Sequence, residues 1–331
     1  QQWLDNLEKV LEGREPDYLV VSHLEPDHAS NIQLLAEKYP NMQVVSNAKV
    51  FSMLPQFFTL DFAPRSVVVK EGDTLSLGNH TLQFFMAPMV HWPEVMVEYE
   101  QTEKILFSAD GFGKFGASDV EEDWDDEARR YFINIVGKYG SQVQALLKKA
   151  ATLDIQTICP LHGPVLKENL GYYIGKYLTW SSYEPEEEGV VVAYASIHGN
   201  TGKAAARMAE ILKENGAENV KVFDLARDDM AEAISSAFRY SRLIVMGVTY
   251  DGNLFPCMED FLYHLKIKTY KKRKVGIVEN GSWAPMAGKL MKAYFEGMKD
   301  IEICEPVVTI KSVMKDADEE NMKTLAKAVL A

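Results

Sequence analysis

Four side chains that can bind a metal ion lie within six residues of one another in the stretch Ser22-His23-Leu24-Glu25-Pro26-Asp27-His28. The preceding residues, 17–22, are largely apolar, aromatic and β-branched, which is typical of a strand buried on both faces. In residues 29–39 the apolar positions recur at helical spacing, and Pro26 and Asp27 suit the start of that helix. The stretch therefore predicts a strand, a ligand-bearing loop and a helix, an arrangement that holds a metal ion rigidly.

Three further residues of the same kind, His91, Asp110 and His162, each follow a predicted strand. A single histidine in such a place is more often structural, but the repeated placement favours a metal centre. Imidazole and carboxylate ligands without thiolates suit iron, manganese or zinc. Seven ligands are too many for one ion and are enough for two ions bridged by a carboxylate. The candidate ligands are His23, Glu25, Asp27, His28, His91, Asp110 and His162.

Between the first ligand loop and His91, short strands alternate with turn residues. Residues 66–70, 73–77 and 81–86 predict three antiparallel strands, joined by the turns Glu71-Gly72 and Gly78-Asn79. Further along, an acidic segment, Glu121 to Glu127, precedes a long predicted helical region at 128–151.

The second half of the chain alternates apolar strands with helices of ordinary length, which predicts a doubly wound parallel sheet. The five predicted strands are residues 190–195, 220–224, 243–248, 274–279 and 305–310. The acidic, proline-containing segment 183–189 predicts a linker between a first domain, residues 1–182, and a second domain, residues 190–331.

Charge and composition argue against a nucleic-acid-binding protein, a membrane protein and a disulfide-rich protein. A net charge of −13 over 331 residues argues against a nucleic-acid or anionic-membrane surface, since both require concentrated basic charge. No apolar run approaches the roughly 18 residues of a membrane helix, so we expect a cytoplasmic protein. The three cysteines are widely spaced, which makes a disulfide framework or a thiolate metal site improbable.

These motifs resemble the flavodiiron proteins, also called A-type flavoproteins. The resemblance rests on the His-x-Glu-x-Asp-His loop, His91-Trp92-Pro93-Glu94, Asp110 and Pro160-Leu161-His162-Gly163-Pro164, followed by a flavodoxin-like half, and it covers essentially the whole chain. It implies a metallo-β-lactamase-like αββα sandwich followed by a flavodoxin-like, five-stranded doubly wound sheet. Glu25 replaces the second histidine of the related zinc hydrolases, and a harder oxygen ligand favours iron.

The resemblance also implies how the seven ligands divide. His23, Glu25 and His91 would bind one iron, Asp27, His28 and His162 would bind the other, and Asp110 would bridge the two.

Three loops in the second half predict a site for flavin mononucleotide (FMN). The first resembles the flavodoxin phosphate loop, with His198 where Thr is common, and backbone N–H groups can surround a phosphate there. The other two follow the third and fourth strands, where a doubly wound sheet binds its ligand. Either Tyr250 or Trp283 could stack on the isoalloxazine ring. The candidate residues are Ser196, His198, Gly199, Asn200, Thr201, Thr249, Tyr250, Asp251, Gly252, Asn253, Asn280, Gly281, Ser282 and Trp283.

The function implied is an oxidoreductase that reduces dioxygen to water, or nitric oxide to nitrous oxide, at two irons. Dioxygen requires four electrons and two ferrous ions supply two, so an FMN that stores two more completes the set. The metal ligands themselves serve either gas. Two other functions stay open: a zinc-dependent hydrolase of the β-lactamase type with a fused flavodoxin, and an FMN electron-transfer or sensor module.

The resemblance implies partners as well. We expect a head-to-tail homodimer or a tetramer, and an electron donor that is either a protein such as rubredoxin or a reduced soluble cofactor such as a deazaflavin. The segment Lys268–Lys274 has five basic residues in seven; it is most simply a solvated turn, and the alternative is docking of an acidic donor.

Family members begin with β-strands before the first helix predicted here. A β-lactamase-like domain without part of its first sheet would have an exposed edge and an open core face. The sequence is therefore predicted to be a fragment of a longer protein, or to be completed by a separate segment.

Overall fold

The computed structural model describes residues 1–117, 119–120 and 122–331. It divides into two compact units, of which the first comprises Gln1–Glu121 with Ser141–Gly175 and the second Glu122–Gly140 with Lys176–Ala331. Glu121, the first residue of the acidic segment, lies outside the described residues. Within the described ranges, no helix has both the length and the apolar character that crossing a membrane requires.

Twelve α-helices lie in the described part of the chain. They are α1 Gln2–Leu11, α2 Pro26–Ala29, α3 Ile32–Lys38, α4 Ala48–Met53, α5 Trp124–Tyr131, α6 Gly140–Ala150, α7 Leu170–Ser182, α8 Asn200–Glu214, α9 Met230–Arg239, α10 Pro256–Ile267, α11 Ala287–Glu296 and α12 Asp316–Leu330.

Two β-sheets form the first unit. Its strands are β1 Tyr18–Val20, β2 Gln43–Asn47, β3 Ser66–Val69, β4 Thr74–Ser76, β5 Thr81–Met86, β6 Met96–Glu100, β7 Ile105–Phe107 and β8 Thr157–Cys159. The first three form a parallel sheet in the order β1-β2-β3. The other five form a second sheet in chain order, antiparallel from β4 to β7 and parallel between β7 and β8.

Apolar side chains from both sheets meet in one core. Val45 and Val69 of the first sheet cluster with Leu82, Phe84 and Met96 of the second. The helices α3 and α4 pack their apolar residues against the first sheet in a separate cluster. Two facing sheets with helices outside them agree with the expected sandwich.

The second unit contains one parallel sheet. Its strands are β9 Glu187–Tyr194, β10 Val220–Asp224, β11 Tyr240–Tyr250, β12 Asn253–Leu254, β13 Arg273–Asn280, β14 Ile301–Ile303 and β15 Val308–Ile310. The order is β10-β9-β11-β13-β14, with β15 also parallel to β13 and β12 antiparallel to β11. Counting the parallel strands along the chain, this is the flavodoxin order 2-1-3-4-5. Residues 190–193 of β9 have no exposed surface, as expected for a strand covered on both faces.

Four local expectations differ from the structure. The strand β3 does not pair across the Glu71-Gly72 turn; it pairs in parallel with β2. The long helical region divides into α5, a π-helical turn at Phe132–Val136 and α6. The fifth strand of the second domain is split into β14 and β15, which both pair with β13. In addition, β9 begins at Glu187, inside the predicted linker.

The edge strand β1 lies beside an open cavity of about 490 Å³ in the first unit. Its wall includes Leu77, Phe107 and Leu161, which are exposed although they are large and apolar. An exposed edge and an open core face are the features from which an additional segment was expected, and that expectation stays a prediction.

Candidate metal centre and cofactor cleft

The seven predicted ligands come from five chain segments of the first unit. His23 and Glu25 lie between β1 and α2, Asp27 and His28 lie in α2, and His91 follows β5. The other two, Asp110 and His162, follow the adjacent parallel strands β7 and β8. The carboxyl ends of parallel strands meet at one edge of a sheet, which brings these two residues together.

The first group consists of His23, Glu25, His91 and Asp110, and their ligand atoms converge. His91 Nε2 lies 3.0 Å from both Glu25 Oε2 and Asp110 Oδ2, and His23 Nε2 lies 3.4 Å from the same two oxygens. Two ligand atoms about 2.1 Å from one ion are about 3.0 Å apart at a right angle and about 3.4 Å apart at a tetrahedral angle. The separations therefore fit one shared metal ion.

The second group consists of Asp27, His28 and His162. Asp27 Oδ2 lies 3.4 Å from His28 Nε2 and 3.2 Å from His162 Nε2. Asp110 Oδ1 lies 3.1 Å and 3.7 Å from the same two nitrogens. Asp110 thus directs Oδ2 toward the first group and Oδ1 toward the second, which is the geometry of a bridging carboxylate.

The charge and burial of these side chains fit two divalent cations. Three carboxylates and four neutral imidazoles have a net charge of about −3, and a buried anionic cluster is costly without cations nearby. The side chains of His23 and Asp110 have no exposed surface. His23 Nε2 and Asp110 Oδ2 are buried and form no well-aligned hydrogen bond with any described residue. Two inward-facing atoms with available lone pairs are what a metal site provides.

The pKa values of the clustered side chains reflect the attraction between the carboxylates and the histidines. Burial alone would raise the pKa of Asp110, but the hydrogen bond from His28, the close approach of His91 and the charges of nearby histidines hold it far below its usual value. Burial alone would lower the pKa values of His28 and His91, but Asp110 and the neighbouring carboxylates hold both above the ordinary value. The pocket therefore favours positive charge, whether protons or metal ions supply it.

Side chains around the ligands hold the loops in place. Glu94 Oε1 lies 2.8 Å from His23 Nδ1 and accepts a hydrogen bond from the Leu24 N–H at 3.0 Å. Asn47, which caps α4, donates from Nδ2 to the Glu94 carbonyl oxygen at 2.7 Å. The Trp92 ring meets His23 edge-on, with 5.2 Å between ring centroids, and so adds an apolar wall beside the cluster.

The second unit has a small polar cleft at the carboxyl ends of its central strands. It has a volume of about 160 Å³ and lies at the start of α8, where Gly199 has a φ of 87°. Asn280 Nδ2 donates to the Ser312 carbonyl oxygen, and Asn280 Oδ1 accepts from the Ser312 N–H, both at 2.9 Å. The lining residues are Ile197, His198, Asn200, Thr201, Val248, Thr249, Asn280, Gly281, Ser282 and Ser312.

Comparisons with known proteins agree with both units. Residues 1–163 match the model of the ODP family beta lactamase. The chain is 28% identical over 342 residues to the nitric oxide reductase of Moorella thermoacetica, an alignment that covers 100% of this chain and 84% of that protein. The structure of rubredoxin oxygen:oxidoreductase from Desulfovibrio gigas superposes with a TM-score of 0.88 at 26% identity, covering 97% of this chain and 82% of that one.

The chain belongs to the flavodiiron proteins. A mutant flavodiiron protein from Thermotoga maritima has the same fold, with a TM-score of 0.87 at 23% identity and coverage of 99% of this chain and 83% of that one. The predicted fold class, a metallo-β-lactamase-like domain followed by a flavodoxin-like domain, is confirmed.

In this flavodiiron protein, half of the predicted FMN residues line the cleft. They are His198, Asn200, Thr201, Thr249, Asn280, Gly281 and Ser282. The other seven, which do not line it, are Ser196, Gly199, Tyr250, Asp251, Gly252, Asn253 and Trp283. Thr249 also has a structural role, because its Oγ1 accepts hydrogen bonds from the backbone N–H groups of Met286 and Ala287 at the start of α11.

Two residues at these sites were absent from the predicted set. Ser312 lines the cleft just after β15, so the strand-end reasoning used for the third and fourth strands would have included it. Glu94 contacts His23 from within a motif that the prediction used only for its histidine. Nothing in the spacing of residues 91–94 indicates that the carboxylate points back to the first ligand loop.

Proposed function

We propose that this flavodiiron protein reduces dioxygen to water, nitric oxide to nitrous oxide, or both, at a diiron centre with FMN as the electron relay. The observation that supports the proposal most strongly is the placement of Asp110, whose two oxygens face the two ligand groups separately. The relative from Moorella thermoacetica is named for nitric oxide, and the one from Desulfovibrio gigas for rubredoxin and oxygen.

The ligand assignment is part of this proposal. His23, Glu25 and His91 would hold one iron, Asp27, His28 and His162 the other, and Asp110 would lie between them. Two ferrous ions and one reduced FMN would together supply the four electrons that convert dioxygen to water.

The protein side chains would contribute charge and shelter. Three carboxylates offset most of the positive charge at the centre and favour its oxidised form. The fully buried Asp110 keeps its orientation because both of its oxygens lie within 3.4 Å of a histidine nitrogen. The partly exposed Glu25, Asp27 and His162 lie on the side from which a small gas could enter.

The cleft of the second unit would hold the FMN phosphate. Backbone N–H groups at the start of α8 point into such a site, and the helix dipole favours an anion there. The side chains of Asn200, Thr201 and Ser312 add groups that can donate hydrogen bonds. Tyr250 and Trp283 are exposed at adjacent loops, so that either ring remains a candidate for stacking on the flavin.

The partners belong to the same proposal. The two sites are built by different units of the chain, and a head-to-tail homodimer, or a tetramer built from such dimers, would bring the FMN of one subunit to the irons of another. The electron donor would be rubredoxin, as the name of the Desulfovibrio gigas relative suggests, or a reduced soluble cofactor. A cytoplasmic location stays a prediction.

The basic segment Lys268–Lys274 gives little support to donor docking. Lys268 donates to the Asn134 carbonyl oxygen at 2.8 Å, and Lys272 pairs with Glu184. Arg273 is buried, and its guanidinium donates to backbone carbonyl oxygens that include that of Tyr240. Cations that are engaged in this way stabilise the fold, so we place the donor surface elsewhere.

The test is anaerobic stopped-flow of the reduced protein, with its iron and FMN content measured, against dioxygen and nitric oxide separately. We expect rapid flavin reoxidation by at least one gas, no hydrogen peroxide from dioxygen, and loss of the rapid phase when iron is removed. Equal rates with and without iron would instead indicate an FMN electron-transfer or sensor module. A zinc-only protein with esterase activity and no gas consumption would indicate a hydrolase.

A further inference from the structure

We propose that Glu94 is a positioning residue for the metal centre: it fixes the ring orientation and the tautomer of His23 and ties the loop of His91 to the loop of His23. This inference rests on the proposed diiron function, since it concerns the ligands of that centre. It assigns a role to a buried carboxylate outside the seven ligands.

The hydrogen bonds of Glu94 determine which nitrogen of His23 is available. Both side chains are fully buried, and Glu94 Oε1 lies 2.8 Å from His23 Nδ1. A carboxylate only accepts hydrogen bonds, so Nδ1 must hold the proton. The lone pair is then on Nε2, the atom that faces Glu25 and Asp110 at 3.4 Å. The Glu94 contact thereby turns Nε2 of His23 toward the metal position before any ion arrives.

Glu94 is the one described side chain that hydrogen-bonds His23 Nδ1. His28 and His91 also face carboxylates of the centre through Nε2, but neither ring has a described side chain hydrogen-bonded to its Nδ1. The restraint is therefore specific to the ligand position that His23 occupies.

Glu94 also connects three segments of the chain. Its side chain accepts from the Leu24 N–H in the first ligand loop, and its main chain follows His91 by three residues. Its carbonyl oxygen accepts from Asn47 at the start of α4. The two histidines that Glu94 ties together, His23 and His91, belong to the same ligand group. Replacing its carboxylate should therefore weaken one metal position rather than loosen the whole domain.

The experiment compares Glu94→Gln with Glu98→Gln in the full-length, FMN-loaded protein. Glu98 is a matched control: it is a buried carboxyl in β6, the strand that follows Glu94, and it accepts a hydrogen bond from Ser22, the residue before His23, and not from His23 itself. Metal-free protein is titrated anaerobically with Co²⁺, and the two binding steps are resolved by visible absorption.

We expect Glu94→Gln to weaken one of the two steps by about 10- to 100-fold and to leave the other within about twofold, as found for residues that orient metal ligands. Glu98→Gln should leave both steps unchanged. Two unchanged steps in Glu94→Gln would overturn the inference while leaving the diiron proposal intact. A wild-type protein that binds no Co²⁺ would instead refute the diiron proposal itself.

A second measurement needs no variant and distinguishes positioning from general support of the fold. In ¹⁵N-histidine-labelled, metal-free wild-type protein at pH 8, the ¹⁵N chemical shifts of His23 should show a protonated Nδ1 and an unprotonated Nε2. The opposite tautomer would overturn the proposal. An equal weakening of both Co²⁺ steps in Glu94→Gln, together with a lowered unfolding midpoint, would also overturn it, since that result indicates a structural role.

Discussion

The metal centre and the cofactor cleft both lie at the carboxyl ends of strands, but they are built from different chemical groups. The centre combines three carboxylates and four imidazoles, most of them buried or half-buried. Among the residues that line the cleft, His198 alone has an ionisable side chain, and the others are amides, hydroxyls, glycine and aliphatic residues.

This difference shows how each site is specified. A metal ion is bound by side chains that are costly to bury, so each ligand has a specific position and a specific charge. A phosphate at a helix start is bound largely by backbone N–H groups, which most residue types can supply. Single substitutions should therefore affect the centre severely and the cleft gradually, and each site should respond independently of the other.

The largest expected effect comes from Asp110→Asn. The substitution keeps the shape of the side chain and removes the charge that faces both ligand groups. We expect iron to fall from two ions per chain to one or fewer and gas turnover to fall at least roughly a hundredfold, with FMN content unchanged. Metal analysis and oxygen-electrode assays measure this, with the exposed Asp154→Asn as the control. If Asp110→Asn kept two ions per chain and full turnover, the metal centre would not depend on individual side chains, and its contrast with the cleft would fail.

A second prediction concerns Glu98, a buried carboxyl with no cationic side chain beside it among the described residues. Burial raises its pKa from 4.5 to about 8, although the Ser22 hydroxyl opposes the shift. The stabilisation from the neutral form is complete below pH 4.5 and is lost as the pH rises to about 8. Glu98→Gln should therefore exceed wild type in unfolding free energy by roughly 2 to 5 kcal/mol at pH 9 and by much less at pH 5.

Urea unfolding at the two pH values tests this prediction. Parallel pH dependence in wild type and Glu98→Gln would show that Glu98 ionises as freely as an exposed glutamate. In that case the contrast with Asp110, whose pKa is shifted the opposite way, would not hold.

In the cofactor cleft, Thr201→Val should have a moderate effect. The buried Thr201 side chain lines the cleft in the first turn of α8, and valine preserves its shape without the hydroxyl. We expect roughly tenfold weaker FMN binding, the loss of one hydrogen bond to a charged group, with iron content unchanged. Titration by flavin fluorescence measures this against the exposed Thr324→Val. Unaltered FMN affinity would exclude the hydroxyl from the phosphate site.

The smallest expected effect distinguishes the two exposed aromatic residues. Trp283 is 92% exposed, whereas Tyr250 is 44% exposed and already packs edge-on against Phe255. Trp283 is the freer to stack, so Trp283→Ala should weaken FMN binding by about fivefold and Tyr250→Ala by less. The same fluorescence titration ranks the two variants. A larger effect from Tyr250→Ala would reverse the assignment.

The sequence allowed a candidate ligand set to be proposed because histidines and carboxylates recur directly after predicted strands, and the structure brings these side chains together. It also indicated a doubly wound parallel sheet, since uninterrupted apolar runs such as 190–193 suit strands covered on both faces. The sequence was a poorer guide to which strands pair with each other. Turn residues follow β3, yet β3 pairs with β2, because the choice of neighbour depends on tertiary packing rather than on the local turn.

The direction in which each side chain points could not be predicted from the spacing of residues in the sequence either. The two oxygens of Asp110 face different ligand groups because β7 and β8 are adjacent and parallel, a relation that no local motif contains. The contact between Glu94 and His23 joins residues 71 positions apart. The cleft was only half predicted because the backbone supplies much of it, and backbone groups have no sequence signature.

The most direct test of the central claim is an anomalous diffraction measurement at the iron absorption edge on crystals of the iron-loaded protein. The proposal predicts two peaks about 3.5 to 4 Å apart, one beside each carboxylate oxygen of Asp110. The first peak should adjoin His23, Glu25 and His91, and the second Asp27, His28 and His162. A single peak, or a pair of peaks with Asp110 in contact with neither or only one, would contradict it.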